Sequence, residues 1–149
     1  MIEYRMMKIT EINEVANLYG AMARELNLPG LPGDESAVER WTVSAFQSLC
    51  GPYRAVIFVA ARIGEIVGFI QGGVLPDMGR GGMTGQVLSM YVEPEFRGRW
   101  VAIRLMKAME TWGREAGMGA AEVHAKPGNE GFYKRFGFKP VHLKMSREY

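Results

Sequence analysis

Two arginines flank a glycine in the stretch "EFRGRWVA", residues 95–102, directly after the apolar run "QVLSMYV", residues 86–92. The run predicts a strand, and the residues after the turn follow helical periodicity. The first amides of such a helix have no intrahelical partners, and the helix dipole makes this end attractive to anions. Gly98 would let the backbone approach an anion, while Arg97 and Arg99 add positive charge. We predict a phosphate or pyrophosphate site here; an ordinary turn with solvated arginines is the alternative.

A second group of reactive side chains lies in "HAKPGNEGFYKRFGFKPV", residues 124–141. Tyr133 falls on a predicted short helix at 129–136, and a phenol carries its proton at neutral pH. A single cysteine, Cys50, cannot form an internal disulfide, and two histidines suggest no metal cluster.

Length and composition restrict the class of protein. The chain has 149 residues, a net charge of +2 and a hydrophobic fraction of 48%. This charge is too small to indicate nucleic-acid binding. The start "MIEYRMMKIT" lacks the apolar core of a signal peptide, and no apolar run approaches the roughly 20 residues of a membrane span. We therefore predict one cytoplasmic globular domain over residues 1–149, without a membrane partner.

Apolar periodicity predicts the elements that must position these residues. The expected order is a strand at 3–9, a helix capped by Thr10 and ending near Leu26, a helix from Asp34 to about Leu49, a hairpin over 54–73 turning near Ile63 and Gly64, a long loop at 74–85, a strand at 86–92, a helix at 100–116 closed by Gly117, a strand at 120–125, a short helix at 129–136 and a final strand at 138–146. The hairpin makes the first part antiparallel, and the crossover helix makes the strands that flank it parallel. This order describes an α/β sandwich around a mixed sheet. Within it, residues 72–82 are either a mobile lid or a plain hairpin loop.

The two reactive stretches together resemble the GNAT superfamily of acyl-CoA-dependent N-acyltransferases. The first is similar to that family's cofactor signature, valine-x-proline-x-x-arginine-glycine-x-glycine-x-glycine-or-alanine, at Val92, Pro94, Arg97, Gly98 and Ala102. The second is similar to the family's "FYxxxGF", at Phe132, Tyr133, Gly137 and Phe138. Trp100 departs from the signature, which has glycine there. A right-handed helical conformation at Trp100 would let the indole point outward, either as an aromatic flank of the cofactor or packed on a neighbouring helix.

The resemblance implies a fold and a ligand. The fold is a mixed, mostly antiparallel sheet of six to seven strands, flanked by about four helices, with splayed central parallel strands. Acetyl-CoA, without a metal, would lie where the strands at 86–92 and 120–125 separate. The implied cofactor-binding residues are Met90, Tyr91, Val92, Arg97, Gly98, Arg99, Trp100, Val101, Ala102 and Ile103.

The resemblance also implies a reaction, in which a primary amine of a small molecule or peptide attacks the thioester directly. Tyr133 would be the general acid, and an amide near Met90 or Tyr91 would stabilise the carbonyl oxygen. No enzyme nucleophile is needed, so we expect Cys50 to be a small buried hydrophobe. Three candidates for the general base stay open: Glu122, His124 and a water held by Ser89. Many family members are homodimers, with an edge near residues 138–146 available for pairing.

Two alternatives to this reading remain. One is acylation of a protein or aminoacyl-tRNA amine. The other is a non-catalytic acyl-CoA-binding module, which Trp100 and the lack of a carboxylate in residues 86–92 favour, whereas Tyr133 argues against it.

Overall fold

The computed structural model describes residues 1–27, 35–50, 55–147 and 149. Its elements are β1 (Glu3–Met6), α1 (Ile12–Leu26), α2 (Glu35–Cys50), β2 (Ala55–Arg62), β3 (Glu65–Pro76), β4 (Met83–Val92), α3 (Val101–Glu115), β5 (Ala120–Val123) and α4 (Glu130–Lys134). Among these helices, none has both the length and the apolar character that a membrane span needs. The predicted four helices are present within the described ranges.

One sheet organises the described residues, with strand order β1-β2-β3-β4-β5. Neighbours from β1 to β4 are antiparallel, and β4 and β5 are parallel. Successive residues of β3 point to opposite faces, so Phe69 packs under α1 and α2, whereas Ile70 packs under α3. Because helices cover both faces, β2 and β3 are apolar along most of their length.

Two predicted turns are confirmed. The β2–β3 hairpin turns at Ile63 and Gly64, and Gly64 has a φ of 78° that favours glycine. Helix α3 ends at Glu115 and is closed by Gly117, which has a φ of 81°. The amide of Met118 then donates to the carbonyl of Gly113 over 3.0 Å.

The N-terminal helix begins differently from the prediction. Thr10 does not cap it, because a single 3-10 turn occupies Ile9–Glu11 and α1 starts only at Ile12. Glu11 stands at the N-cap position of α1 but makes no side-chain bond to the amides of that helix. Its carboxylate instead accepts from the amide of Lys8 at 2.8 Å, at the start of the 3-10 turn, and from Arg5 at 2.7 Å. A carboxylate at this end also complements the helix dipole. The other predicted cap, Asp34, lies outside the described residues.

The long loop predicted at 74–85, and the lid or hairpin loop within 72–82, are wrong for the residues that belong to strands. Strand β3 continues through Pro76, β4 already begins at Met83, and only residues 77–82 connect them. Asp77 closes this connection, since its side chain accepts from the amides of Gly79 and Arg80 at 3.1 and 2.9 Å. Cross-strand pairing therefore overrode the turn preference of the glycines.

The final strand predicted at 138–146 is absent. These residues form no strand, and Val141, Leu143 and Met145 are 76%, 84% and 86% exposed. Alternating apolar residues suit a strand only where an edge is within reach to pair with, and Pro140 lacks an amide hydrogen. The described sheet consequently has five strands rather than six to seven, and its parallel pair lies at one edge instead of the centre.

Cys50 is exposed and not a buried hydrophobe as predicted. The apolar stripe of α2 passes through Trp41 and Ala45, which are buried, to Leu49, which packs against the same core. Cys50 follows Leu49 directly, so it lies about 100° further around the helix, on the side facing solvent.

Candidate functional site

A gap opens where β4 and β5 separate. Their parallel pairing ends at Val87 and Val123, whereas β4 continues to Val92. Residues 88–92, called here the open segment of β4, therefore have no strand partner on the β5 side within the described chain. This is the separation of strands that the resemblance implied.

Hydrogen bonding to β3 decides which groups of the open segment face the gap. Phe69 pairs with Tyr91, and the amide of Glu93 donates to the carbonyl of Val67 over 2.9 Å. Antiparallel pairs alternate between bonded and non-bonded, so the main chain of Tyr91 bonds to β3. The amides and carbonyls of Met90 and Val92 consequently point into the gap.

A β-bulge marks the start of the open segment. Ser89 pairs with Gln71 and Val87 pairs with Gly72, which leaves Leu88 as an extra residue in β4. A bulge bends its strand and re-aims the side chains that follow. Ser89 and Tyr91 consequently face α1 and α2, whereas Met90 and Val92 face α3.

A cavity of about 390 Å³ occupies the gap. Its walls come from the end of α1, the open segment of β4, the start of α3 and the loop from β5 into α4. The lining side chains outside β4 are Met22, Glu25, Leu26, Arg97, Ala102, Val123, His124, Lys126, Asn129, Phe132 and Tyr133.

Unpaired amides line the turn that leads from β4 into α3. The amides of residues 98–103 have no hydrogen-bond acceptor within the described chain. The first amide of this helix with a partner is that of Arg104, which donates to the carbonyl of Trp100 over 2.9 Å. Six consecutive donors at a helix N-terminus form a site with the chemistry to hold a phosphate or pyrophosphate. We call residues 97–103 the basic turn.

Two residues of the basic turn have left-handed backbone conformations. Gly98 has a φ of 75°, which glycine adopts without cost, and Trp100 has a φ of 68°. Trp100 is therefore not in the right-handed conformation on which the outward-pointing indole depended, and the glycine of the signature has a conformational reason. The indole is 69% exposed, so it packs little on the neighbouring helix. For a bulky residue this conformation is strained.

The two arginines of the basic turn have different surroundings. Arg97 donates to both oxygens of Glu25, over 2.6 and 2.7 Å, and its Nε donates to the carbonyl of Val92 over 2.9 Å. Its guanidinium also lies 5.3 Å from the centre of the Tyr91 ring. Arg97 thus joins the end of α1 to the end of β4. Arg99 is exposed and has no ion pair or hydrogen bond within the described residues.

Tyr133 is placed by α4 with its side chain buried against the gap. Its ring meets Phe132 and Phe138 edge-on, with ring centres 5.2 and 5.9 Å apart. Burial raises the pKa of the phenol above its usual 10.0, so the hydroxyl keeps its proton at neutral pH. This hydroxyl has no hydrogen-bond partner in the part of the chain that the structure describes, and it lines the cavity.

The three candidate bases do not all lie at the cavity. Ser89 and His124 line the cavity, but Glu122 does not. Glu122 is an exposed residue of β5, and His124 follows the last residue of that strand. The period-two relationship expected between Glu122 and His124 therefore does not bring both side chains into the cavity.

Sequence reasoning missed Glu25, whose carboxylate is the one acidic group lining the cavity among the described residues. Hydrogen bonding by Arg97 lowers the pKa of Glu25, which makes its carboxylate a weak base. The signal was present in the helix pattern. Met22, Glu25 and Leu26 lie at i, i+3 and i+4, so they share one face at the end of α1.

Two further cavity residues also escaped the sequence reasoning. Lys126 and Asn129 line the cavity from the loop between β5 and α4. Burial lowers the pKa of Lys126. A loop without periodicity gives no signal about which of its side chains turn inward.

Comparisons with solved structures identify this fold. A predicted acetyltransferase with acetyl-CoA from Clostridium acetobutylicum has a TM-score of 0.84 at 17% identity, covering 99% of this chain and 96% of that one. A GCN5-related N-acetyltransferase from Ralstonia eutropha has a TM-score of 0.83 at 24% identity, covering 100% and 99%. AAC(6')-Iy in complex with a CoA-linked acetylneamine bisubstrate analog has a TM-score of 0.75 at 21% identity, covering 100% and 99%. The comparison with curated proteins found no match.

The comparison with family models gives the family itself. The model described as "Acetyltransferase (GNAT) family" matches residues 21–138, which include the basic turn, the open segment of β4 and α4. The chain belongs to the GNAT acetyltransferase family.

Proposed function

We propose that the protein transfers an acetyl group from acetyl-CoA to a primary amine. The observation that carries the proposal is the row of six unpaired amides at residues 98–103, beside an open strand edge that leads to Tyr133, which lines the cavity. Solved structures of similar fold contain acetyl-CoA or a CoA-linked bisubstrate analog, which supports the choice of acyl donor.

The described residues fit this donor. A pyrophosphate needs several convergent donors, which the amides of the basic turn offer, and exposed Arg99 is available for a further phosphate. A pantetheine arm needs main-chain partners, which the amide and carbonyl of Met90 and the amide of Val92 offer on the open side of β4. When bound, acetyl-CoA supplies the thioester carbonyl that an amine attacks.

The chemical roles then fall to a few groups. The amide of Met90 faces the gap and would stabilise the negative charge that develops on the carbonyl oxygen. The amide of Tyr91 bonds to β3, so we assign this role to Met90. The phenol of Tyr133 would give its proton to the departing thiolate. No covalent enzyme intermediate is required, and Cys50 does not line the cavity.

The acceptor is proposed to be a small-molecule or peptide amine. The acetylneamine analog bound to AAC(6')-Iy supports an amine-bearing small molecule. Proteins and aminoacyl-tRNA remain rival acceptors. A non-catalytic acyl-CoA-binding module is the second candidate function, and the strained Trp100 beside the anion site favours it.

Turnover separates these candidates. Release of free thiol from acetyl-CoA would be followed with a panel of polyamines, aminoglycosides, amino-acid amides and lysine peptides. We expect amine-dependent release with at least one class and a roughly hundredfold slower release in Tyr133→Phe. Acetyl-CoA binding without release across the panel would instead support the non-catalytic module.

A homodimer also remains a proposal. The exposed Val141, Leu143 and Met145 alternate along residues 138–146, and the outer edge of β5 has no strand partner among the described elements. Such a segment and such an edge would gain from mutual pairing between two copies. Sedimentation at high micromolar concentration should show a dimer that Leu143→Lys weakens. A single monomeric species in the unsubstituted protein would contradict the proposal.

A further inference from the structure

Three polar side chains form a buried chain of hydrogen bonds between α2 and the cavity. The indole Nε1 of Trp41 donates to Oε1 of Gln71 over 3.0 Å, and Oγ of Ser89 lies 3.1 Å from the same oxygen. Trp41 and Gln71 are only 5% and 6% exposed. Ser89, at the other end of the chain, lines the cavity on the side facing α1 and α2.

The donor and acceptor types determine where the protons lie. An indole nitrogen can only donate, so the atom of Gln71 that faces Trp41 must be the carbonyl oxygen. That oxygen can only accept, so the nearby hydroxyl of Ser89 must donate its proton to Gln71. The lone pairs of Ser89 are left free, and the open space next to this side chain is the cavity. Ser89 therefore presents a hydrogen-bond acceptor to whatever enters the cavity on this side.

We propose that Ser89 Oγ accepts a hydrogen bond from the N–H of the acceptor amine, with Gln71 and Trp41 as the residues that orient it. The inference rests on the proposed function and assigns the amine to the α1 side of β4. Met90 and Val92 direct their side chains to the α3 side and their main-chain groups to the gap. Acetyl-CoA would therefore bind along the main chain of the open segment, and the amine would approach it from the α1 side. A ligand recognised by Ser89 must carry a hydrogen-bond donor, and the N–H of the acceptor amine is such a donor.

The choice of Ser89 follows from the rest of the cavity wall on this side. A carboxylate is a natural partner for an ammonium group, but Glu25 already binds Arg97 through both oxygens. Tyr91 faces the same side, but its ring packs into the core beside Phe69. Ser89 is thus a cavity-lining side chain whose hydroxyl hydrogen is already donated to Gln71, so that its oxygen can accept a hydrogen bond from a ligand.

Ligand binding by NMR would test this assignment, with the indole N–H signal of Trp41 as the reporter. The probe is ethylammonium, added to the protein saturated with coenzyme A, and the matched control ligand is tetramethylammonium, which has the charge but no N–H. Ethylammonium should shift the Trp41 signal through Ser89 and Gln71. In Ser89→Ala its Kd should rise about tenfold, as for loss of one hydrogen bond to a charged group. The Kd of tetramethylammonium should not change.

Two further variants separate the hydrogen bond from general structural effects. Ser89→Thr keeps the hydroxyl and should retain the Kd for ethylammonium. Gln71→Met removes the acceptor that holds the Ser89 proton, so the Trp41 signal should move without ligand and the Kd should rise about threefold. Thermal unfolding of each variant would confirm that it is folded. Equal affinity of Ser89→Ala and the unsubstituted protein for ethylammonium would overturn the inference.

The result can be distinguished from failure of the proposed function. Calorimetry with acetyl-CoA measures the donor site alone, and Ser89→Ala should leave this affinity unchanged. If acetyl-CoA did not bind while the Ser89 dependence persisted without coenzyme A, the amine site would stand and the proposed reaction would fall. If acetyl-CoA bound and Ser89→Ala did not change the affinity for ethylammonium, the donor site would stand and the amine site at Ser89 would fall.

Discussion

Arg97 binds both carboxylate oxygens of Glu25, a residue 72 positions earlier in the chain, over 2.6 and 2.7 Å. The pair connects the end of α1 to the basic turn. It also consumes the charge of an arginine that the sequence suggested for anion binding. Of the two arginines in the basic turn, Arg99 is therefore the one we expect to meet a phosphate.

Glu25→Gln should lower stability modestly and in a pH-dependent way. Hydrogen bonding by Arg97 lowers the pKa of Glu25 from its usual 4.5, so the ion pair stabilises the fold above that pH and this contribution is lost as pH falls through the lowered value. Both side chains are partly exposed, so we expect a loss of about 0.2–1 kcal/mol at pH 7. Urea unfolding from pH 7 to pH 3 should show the difference shrinking. Glu14→Gln, on the same helix, serves as the control, and a difference that grows in acid would contradict the prediction.

Trp100→Gly should stabilise the protein. A left-handed conformation costs a residue with a Cβ atom roughly 1–2 kcal/mol. The extra backbone entropy of glycine returns about 0.5–1 kcal/mol of that, so the expected net gain is about 0.5–1 kcal/mol. Thermal unfolding measures it. Trp100→Ala is the matched control, because it removes the exposed ring and keeps the Cβ, and it should give no gain. Stabilisation by alanine equal to that by glycine would show that the ring and not the backbone is responsible.

Acetyl-CoA should bind with micromolar affinity through the basic turn. Each hydrogen bond to a charged group contributes about 1.5–3 kcal/mol, so three or four amides on a pyrophosphate supply most of that affinity. Calorimetry should show much weaker binding of pantetheine without phosphates. Arg99→Ala should weaken acetyl-CoA several-fold, whereas Arg114→Ala, in the last turn of the same helix, should not. Equal affinity for acetyl-CoA and pantetheine would rule out the pyrophosphate site.

Tyr133→Phe should reduce turnover roughly a hundredfold, at the lower end of general-acid contributions, and leave acetyl-CoA affinity nearly unchanged. The variant keeps the ring that packs against Phe132 and Phe138 and removes only the hydroxyl. Since burial raises the pKa of Tyr133 above 10.0, the phenol stays protonated through neutral and mildly alkaline pH. Its deprotonation should therefore cause no fall in rate below pH 10. If Tyr133→Phe is fully active and Tyr133→Ala is not, the ring alone matters.

Local patterns in the sequence predicted the helices and strands correctly where only neighbouring residues matter. The predictions that were wrong depended on pairing between residues far apart in the chain. The order of elements, the turn at Gly64 and the end of α3 at Gly117 depend on neighbours in the chain and were predicted. The absent strand at 138–146 had the correct alternation of residues, but a strand also needs a partner edge. The conformation at Trp100 was missed because the side chain alone argues for right-handed space.

In the candidate site, too, local motifs were predicted and contacts between distant residues were missed. The motifs located Tyr133, which lines the cavity, and the basic turn, of which Arg97 and Ala102 line it. They could not locate the chain from Trp41 through Gln71 to Ser89, whose members are 30 and 18 positions apart. Each of these residues is ordinary within its own element. Only the register between β3 and β4 and the packing of α2 bring their polar atoms together.

The bulge at Leu88 changes the face of the sheet to which the later side chains of β4 point. Before it, Val87 faces α3, and strict alternation would turn Ser89 to that same side and Met90 to the other. The extra residue reverses this order, so that the hydroxyl faces the amine side and the apolar side chains face α3. The one extra residue in β4 therefore decides, together with the residue types, which side chains face each ligand. If Leu88 were paired as a regular strand residue instead, the two faces would be exchanged without altering a single side chain beyond it.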